Sequence, residues 1–221
     1  MKIDSVKIKN FRGYKDETTI ELNDLTVFVG KNDIGKSTIL EALDIFFNDG
    51  KGVIKLDKTD VNVKGKREEN LDIEISVCFS ELPEKIIIDS TVETSLQDEF
   101  MLNANGQLEV IKRYKNGGVA KIFIKAKHPT NSKCSELLVK KNSDLKKIIK
   151  SEDIECKNQT VNSEMRRAIW NRFSADLQQD NVEIDVSKED AKKIWEKLSN
   201  YLPTYSLFFS VRGRPWTFFC S

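Results

Sequence analysis

Apolar and polar positions change period several times along the chain, and each change marks an element. Val6 and Ile8 alternate with Lys7 and Lys9, and Ile20 and Leu22 flank Glu21, which predicts the two half-buried strands of a hairpin. Leu25-Thr26-Val27-Phe28-Val29 is a short apolar run, the pattern of a strand buried on both faces. From Lys36 onward, Ile39, Leu40, Leu43, Phe46 and Phe47 recur at helical spacing until Asn48-Asp49-Gly50 ends the helix. The stretch 57–70 is polar and reads as a loop. Leu71, Ile73, Ile75, Val77 and Phe79 then alternate with Asp72, Glu74, Ser76 and Cys78, an amphipathic strand. Segments 108–114 and 119–126 flank Asn116-Gly117-Gly118, a hairpin signal, with Val119 and Phe123 expected to be half-buried. Beyond Pro129 the pattern is helical. Met165, Ala168, Ile169, Phe173 and Leu177 mark one helix. Ser187-Lys188-Glu189-Asp190 predicts a capping box before another, which carries Ala191, Ile194, Trp195 and Leu198 and stops before Pro203. Residues 205–210 read as a further strand, and no internal repeat stands out.

Composition narrows the class. The 221 residues are 39% hydrophobic, with 12 Phe, and 32% charged, a globular balance that excludes intrinsic disorder. A chain of this length buries roughly 70% of its unfolded surface and needs no staples. No run approaches eighteen apolar residues and no apolar segment follows Met1-Lys2-Ile3-Asp4, so a cytoplasmic protein is expected. Cys78, Cys134, Cys156 and Cys220 have neither disulfide-framework nor metal-site spacing. His128 is the single histidine, which excludes multi-histidine metal sites; set in Lys127-His128-Pro129-Thr130, it reads as an exposed loop residue.

Net charge is +1, but it is unevenly spread. Residues 107–150 hold twelve basic residues against three acids, a net of +9, which leaves −8 for the rest. If Lys112, Lys121, Lys125, Lys140 and Lys147 share one face, that face would bind phosphate backbones; otherwise these are solvated lysines.

The chemistry lies in Gly30-Lys31-Asn32-Asp33-Ile34-Gly35-Lys36-Ser37, which matches Gly-x-x-x-x-Gly-Lys-Ser, with an apolar run before it and a helix after it. Glycine at 30 and 35 permits a backbone that turns N–H groups around a phosphate. The helix start adds unpaired donors and the positive end of its dipole. In such a loop Gly30, Lys31, Asn32 and Gly35 line the phosphates and Lys36 reaches the β and γ groups. Ser37 offers its hydroxyl to Mg2+, and Thr38 reaches the α phosphate. A nucleoside triphosphate with Mg2+ is therefore the expected ligand, and the loop by itself does not name the base.

Together with Lys9-Asn10-Phe11-Arg12-Gly13-Tyr14, the run from Val27 through Ser37-Thr38-Ile39-Leu40-Glu41-Ala42-Leu43 resembles the N-terminus of ABC-type ATPase heads. The likeness is to the RecF, SMC and OLD-nuclease branch of AAA family ATPases, which joins such heads to DNA metabolism or phage defence. The resemblance implies an α/β (α+β) P-loop NTPase fold: a head lobe with N-terminal antiparallel strands, a strand–loop–helix unit and a helical C-terminal part. It also implies a second head as homodimer partner, DNA as a further partner, and Arg12 as a nucleotide contact; the other reading of Arg12 is a solvated hairpin arginine. A partial head domain is expected over 1–210, with a helical insertion at 130–202, and an atypical tail at 211–221 as truncation or a frame shift of a longer protein would leave.

The sequence departs from such heads in having no Leu-Ser-Gly-Gly signature, no strand ending in Asp-Glu and no clustered carboxylates of a nuclease module. Ile86-Ile87-Ile88-Asp89 and Val182-Glu183-Ile184-Asp185 are weak candidates for the acidic strand. The expected activity of the isolated chain is ATP binding without efficient hydrolysis. The alternative is a nucleic-acid-binding or protein-interaction module with a vestigial phosphate loop. A GTPase is disfavoured because no Asn-Lys-x-Asp follows.

Overall fold

A computed structural model describes residues 1–29, 35–89, 92–187, 189–209 and 215–219; at 189–190, 209 and 215–219 only the backbone is described. The chain divides into two compact units, one formed by Lys2–Ser80, Val110–Ile122 and Pro203–Ser221, the other by Met1, Glu81–Glu109 and Phe123–Leu202. Both mix α and β structure.

The first unit is organised around strand β1 (Lys2–Lys9). β1 pairs antiparallel with β2 (Thr18–Glu21), Val6 opposite Ile20, and with β3 (Asp72–Ser80), Val6 opposite Val77 and Ile8 opposite Ile75. The period-2 apolar positions thus meet on one buried face, where Val6, Ile8, Ile75 and Val77 are fully buried. Ser76 and Cys78 on the other side of β3 are buried too, which small, weakly polar side chains tolerate. Helix α1 (Lys36–Phe47) lays Ile39, Ala42, Leu43 and Phe46 into this core. Phe46 and Phe47 both contact the Phe79 ring, and Phe47 stacks on Tyr205 at 5.6 Å. Tyr205 and Tyr114 anchor the helix through hydroxyls that donate to the Leu40 and Ile45 carbonyls. Tyr205 opens β7 (Tyr205–Phe209), which pairs antiparallel with β8 (Pro215–Phe219).

Segment 25–29 belongs to neither described sheet, although its apolar run predicts a buried strand. Leu25, Val27 and Val29 are 82%, 69% and 85% exposed. An apolar run becomes a buried strand only where neighbouring strands pair with it and elements cover it. The expected loop at 57–70 holds a 3-10 turn (Lys58–Asp60) and helix α2 (Val63–Arg67). Asp57 and Asn62 cap them by accepting hydrogen bonds from first-turn N–H groups, which is how polar residues nucleate short helices.

Strands β4 (Leu108–Lys115) and β5 (Ala120–Pro129) flank the Asn-Gly turn. Asn116 and Gly117 both have positive φ, and the Gly118 N–H donates to the Lys115 carbonyl, as a type I′ hairpin requires. Val119, just past the tip, is 94% exposed and not half-buried, because the turn carries it beyond the sheet's covered face.

In the second unit β5 pairs antiparallel with β6 (Gln179–Asp185), Ile124 opposite Ile184. Helices α3 (Asn142–Ser151) and α4 (Asn162–Arg172) pack on each other, and α5 (Glu189–Leu198) buries Ala191, Ile194, Trp195 and Leu198 as its spacing predicts. Of the predicted capping box at 187–190, residues 188–190 lie outside the full description. No described helix is long and apolar enough to cross a membrane.

Candidate phosphate-binding site

Helix α1 begins at Lys36, immediately after Gly35, whose φ of 78° and ψ of 11° are left-handed. Only glycine adopts this conformation cheaply, and a Cβ here would lie 3.1 Å from the Tyr14 hydroxyl oxygen. The Tyr14 hydroxyl donates to the Gly35 carbonyl at 3.3 Å, and burial raises the Tyr14 pKa. Gly35, the N-cap residue, has no side chain to cap α1, and no acid stands in the helix's first turn. The N–H groups of this turn have no intrahelical acceptor, so they and the helix dipole favour an anion. Lys36 and Ser37 are half-buried at this end, and Thr38 is buried. These groups suit a phosphate with its magnesium, which would draw on the Ser37 hydroxyl. Gly30, Lys31 and Asn32, the other loop residues expected to line the phosphates, lie outside the described residues.

Arg12 sits in a tight turn in which the Phe11 and Tyr14 backbones bond each other. Its φ is 47°, and three backbone-directed bonds hold it. The Arg12 N–H donates to the Asp60 carbonyl, the Asn62 N–H to the Asn10 carbonyl, and Asn62 Nδ2 to the Arg12 carbonyl. The guanidinium donates from Nε to Asp60 Oδ1 at 2.8 Å and from Nη1 to Glu41 Oε2. Desolvation works against its charge, but bonds to Asp60 and Glu41 outweigh it, so the Arg12 pKa is raised. The side chain is 30% exposed, so neither a freely solvated arginine nor a buried bridge describes it. Glu41 follows Ser37 by four residues and shares its helix face. That spacing makes Glu41 legible in sequence, whereas Asp60 has no local signal: the fold delivers it across 48 residues.

Other candidates are used elsewhere. Asp89 accepts from Arg166 Nη1 at 2.6 Å and Glu99 from Arg166 Nε at 2.7 Å, in a buried cluster where Thr94 also donates to Glu99. A carboxylate tied in this way is a weak magnesium ligand. Asp185 accepts from the Ser187 N–H and hydroxyl. His128 is not an exposed loop residue: it ends the inward row of β5, fully buried against Phe100 and Trp170, because Ile124, Ala126 and His128 alternate on the covered face.

Nor is every member of the basic block a surface residue. Lys112 is buried, donating to the Phe46 carbonyl at the end of α1 and to Asp49, and desolvation lowers its pKa. Arg113 pairs with Glu74, Lys133 with Glu152 and Lys147 with Asp144. Lys125 alternates with the buried row of β5 and faces Glu183 in the register, whereas Lys147 is carried by α3.

The family model of the AAA ATPase domain matches residues 1–216. A curated relative, Uncharacterized protein MJECL10 of Methanocaldococcus jannaschii, is 40% identical over 50 residues, which are 23% of this chain and 23% of that protein. The chain thus covers under a quarter of that relative's length. A solved structure from work on ATP-driven dimerization and DNA-stimulated activation of SMC ATPases aligns with a TM-score of 0.37 and 16% identity, over 56% of this chain and 69% of that one.

Proposed function

The chain belongs to the AAA ATPase domain family, and on that premise we propose that it binds ATP with Mg2+ at the loop 30–37 and the start of α1. The observation that carries this reading is the left-handed Gly35 at the N-cap of a helix whose first turn carries no acid. An anion is the natural partner of the N–H groups at a helix start, and Lys36 adds the charge that a triphosphate demands. Magnesium, when bound, shields the β and γ oxygens. Gly35 sets the loop's exit angle, Lys36 offers its ammonium to the phosphates and Ser37 its hydroxyl to the metal.

Hydrolysis needs a carboxylate that polarises water and donors that meet charge developing on the γ phosphate. Asp89 is committed to Arg166, so the isolated chain is a nucleotide binder with turnover near the uncatalysed background. A second copy facing the phosphate site, as the likeness to ABC-type heads implies, would supply the facing donors. A role in DNA metabolism or phage defence belongs to the same proposal.

Isothermal titration with ATP and Mg2+ tests the assignment. Lys36→Ala should weaken binding by about 10- to 100-fold, the loss of charge-assisted bonds worth roughly 1.5–3 kcal/mol. Equal affinity in the two proteins would remove the phosphate loop from the site.

A further inference from the structure

Tyr14 stands against the peptide plane that opens α1. Its hydroxyl donates to the Gly35 carbonyl at 3.3 Å, and a Cβ on Gly35 would lie 3.1 Å from that hydroxyl oxygen and 3.3 and 3.4 Å from ring atoms Cε2 and Cζ. The ring edge thus packs on the glycine while the hydroxyl holds its carbonyl. The support behind the ring is firm. The Tyr14 N–H donates to the Phe11 carbonyl and the Phe11 N–H to the Tyr14 carbonyl, each at 2.9 Å. Phe11 is fully buried and also bridges Val61. Burial raises the Tyr14 pKa, so the hydroxyl keeps its proton at neutral pH.

A peptide unit is planar and trans, so its carbonyl and N–H point in opposite directions. Holding the Gly35 carbonyl toward Tyr14 therefore aims the Lys36 N–H the other way, at the start of α1 where the phosphates would sit. Gly35 itself, with a φ of 78°, restrains this plane least, since a residue without a Cβ crosses readily between backbone conformations. The freedom that admits the left-handed turn is the freedom a second contact must remove.

We propose that Tyr14 is a positioning residue of the phosphate loop, pinning the Gly35–Lys36 peptide plane so that the Lys36 N–H is aimed before a nucleotide arrives. This rests on the nucleotide reading above and adds a residue outside the loop that acts through the backbone rather than by touching the ligand. Its contribution is preorganisation. A plane that turns over is competent for only part of the time, and affinity falls by that fraction.

The test is Tyr14→Phe, which keeps the ring and removes the hydroxyl. Isothermal titration of the full chain with ATP and Mg2+ should show binding weakened about three- to tenfold, as a competent population of about 10–30% requires. In nitrogen-labelled protein without nucleotide, the Lys36 amide resonance should be single in the wild type and broadened or doubled in Tyr14→Phe. Saturating ATP with Mg2+ should restore one line in the variant. Wild-type affinity in Tyr14→Phe, with a loss only in Tyr14→Ala, would mean that the ring merely fills space beside Gly35. A weakened Tyr14→Phe whose Lys36 resonance stays single would place the loss elsewhere in the turn. Either result overturns the positioning role. Binding that Lys36→Ala weakens and Tyr14→Phe leaves unchanged would sink this inference alone. Absence of wild-type binding would sink it together with the nucleotide reading.

Discussion

In β5 the His128 Nδ1 donates to the Phe100 carbonyl at 2.9 Å, which leaves Nε2 as a buried acceptor with no hydrogen-bond partner among the described residues. Protonation would place a second donor and a charge there, close enough to Arg166 to be repelled. Desolvation is the larger cause and Arg166 an additional one, and together they lower the His128 pKa despite its bond to Phe100 and the attraction of Glu136. The unfolded chain therefore takes up a proton near pH 6.5 that the folded chain refuses. Stability is full above that pH, falls as pH drops through it, and levels off at the lower folded pKa. Between those limits the loss is up to about 1.4 kcal/mol per pH unit. Urea unfolding at pH 7.5 and 5.5 should show this component in the wild type and not in His128→Asn, which keeps a donor for Phe100. The same pH dependence in both would mean that the ring titrates as if exposed. Nearby, Arg166 illustrates the opposite balance: its buried charge is acceptable because Asp89 and Glu99 both accept from it, and breaking such a set costs about 3–5 kcal/mol.

At the scale of elements, the β4–β5 hairpin reaches into the functional unit through its tip. Gly117 has a φ of 70°, and a Cβ on it would stand 2.2 Å from the Asp57 carbonyl carbon and 2.7 Å from the Lys58 nitrogen. These are backbone atoms of the turn that presents Asp60 to Arg12, so they cannot swing aside as a side chain would. Gly117→Ala should cost about 1–3 kcal/mol from overpacking and the left-handed backbone together. It should also weaken ATP binding by disturbing the turn that holds Arg12. Chemical denaturation and titration of one preparation would check both. An unchanged denaturation midpoint would mean that the hairpin tip can lift from Asp57 at no cost. The Asn-Gly pair was readable as a turn from its composition alone, because both central residues of a type I′ turn need positive φ. Its approach to Asp57 was not, since nothing in either segment names the other.

For the whole chain, ligand binding to the folded state is a stability term. ATP with Mg2+ at one hundred times its dissociation constant adds about 2.7 kcal/mol. For a protein of this length that is an upward shift in Tm of roughly 5–10 °C. Lys36→Ala at the same nucleotide concentration should show about half the shift or less, as its weaker affinity requires. Equal shifts in both proteins would place the nucleotide elsewhere on the molecule. The near-neutral total charge hides a +9 segment, yet part of that charge is used within the fold: Lys112 serves the end of α1, and Arg113, Lys133 and Lys147 are paired with acids.

Local order was fixed by the sequence itself: the alternation of β1 and β3, the helical repeat of α1 and α5, the Asn-Gly turn, and a glycine placed where the phosphate loop meets its helix. These depend on backbone preference and on period, both properties of neighbouring residues. Tertiary structure alone decided which polar groups are inside and what they meet. Lysines at 112 and 147 look alike in sequence, but one ends among the aromatic rings of α1 and the other on an outer helix face. His128 moved from an expected loop to a core strand, and segment 25–29 from an expected core strand to a position outside both sheets. Glu41, Asp60 and Arg12 became one network only when three separate segments met. Burial and ion pairing are sums over residues far apart in the chain, and no local pattern carries that sum.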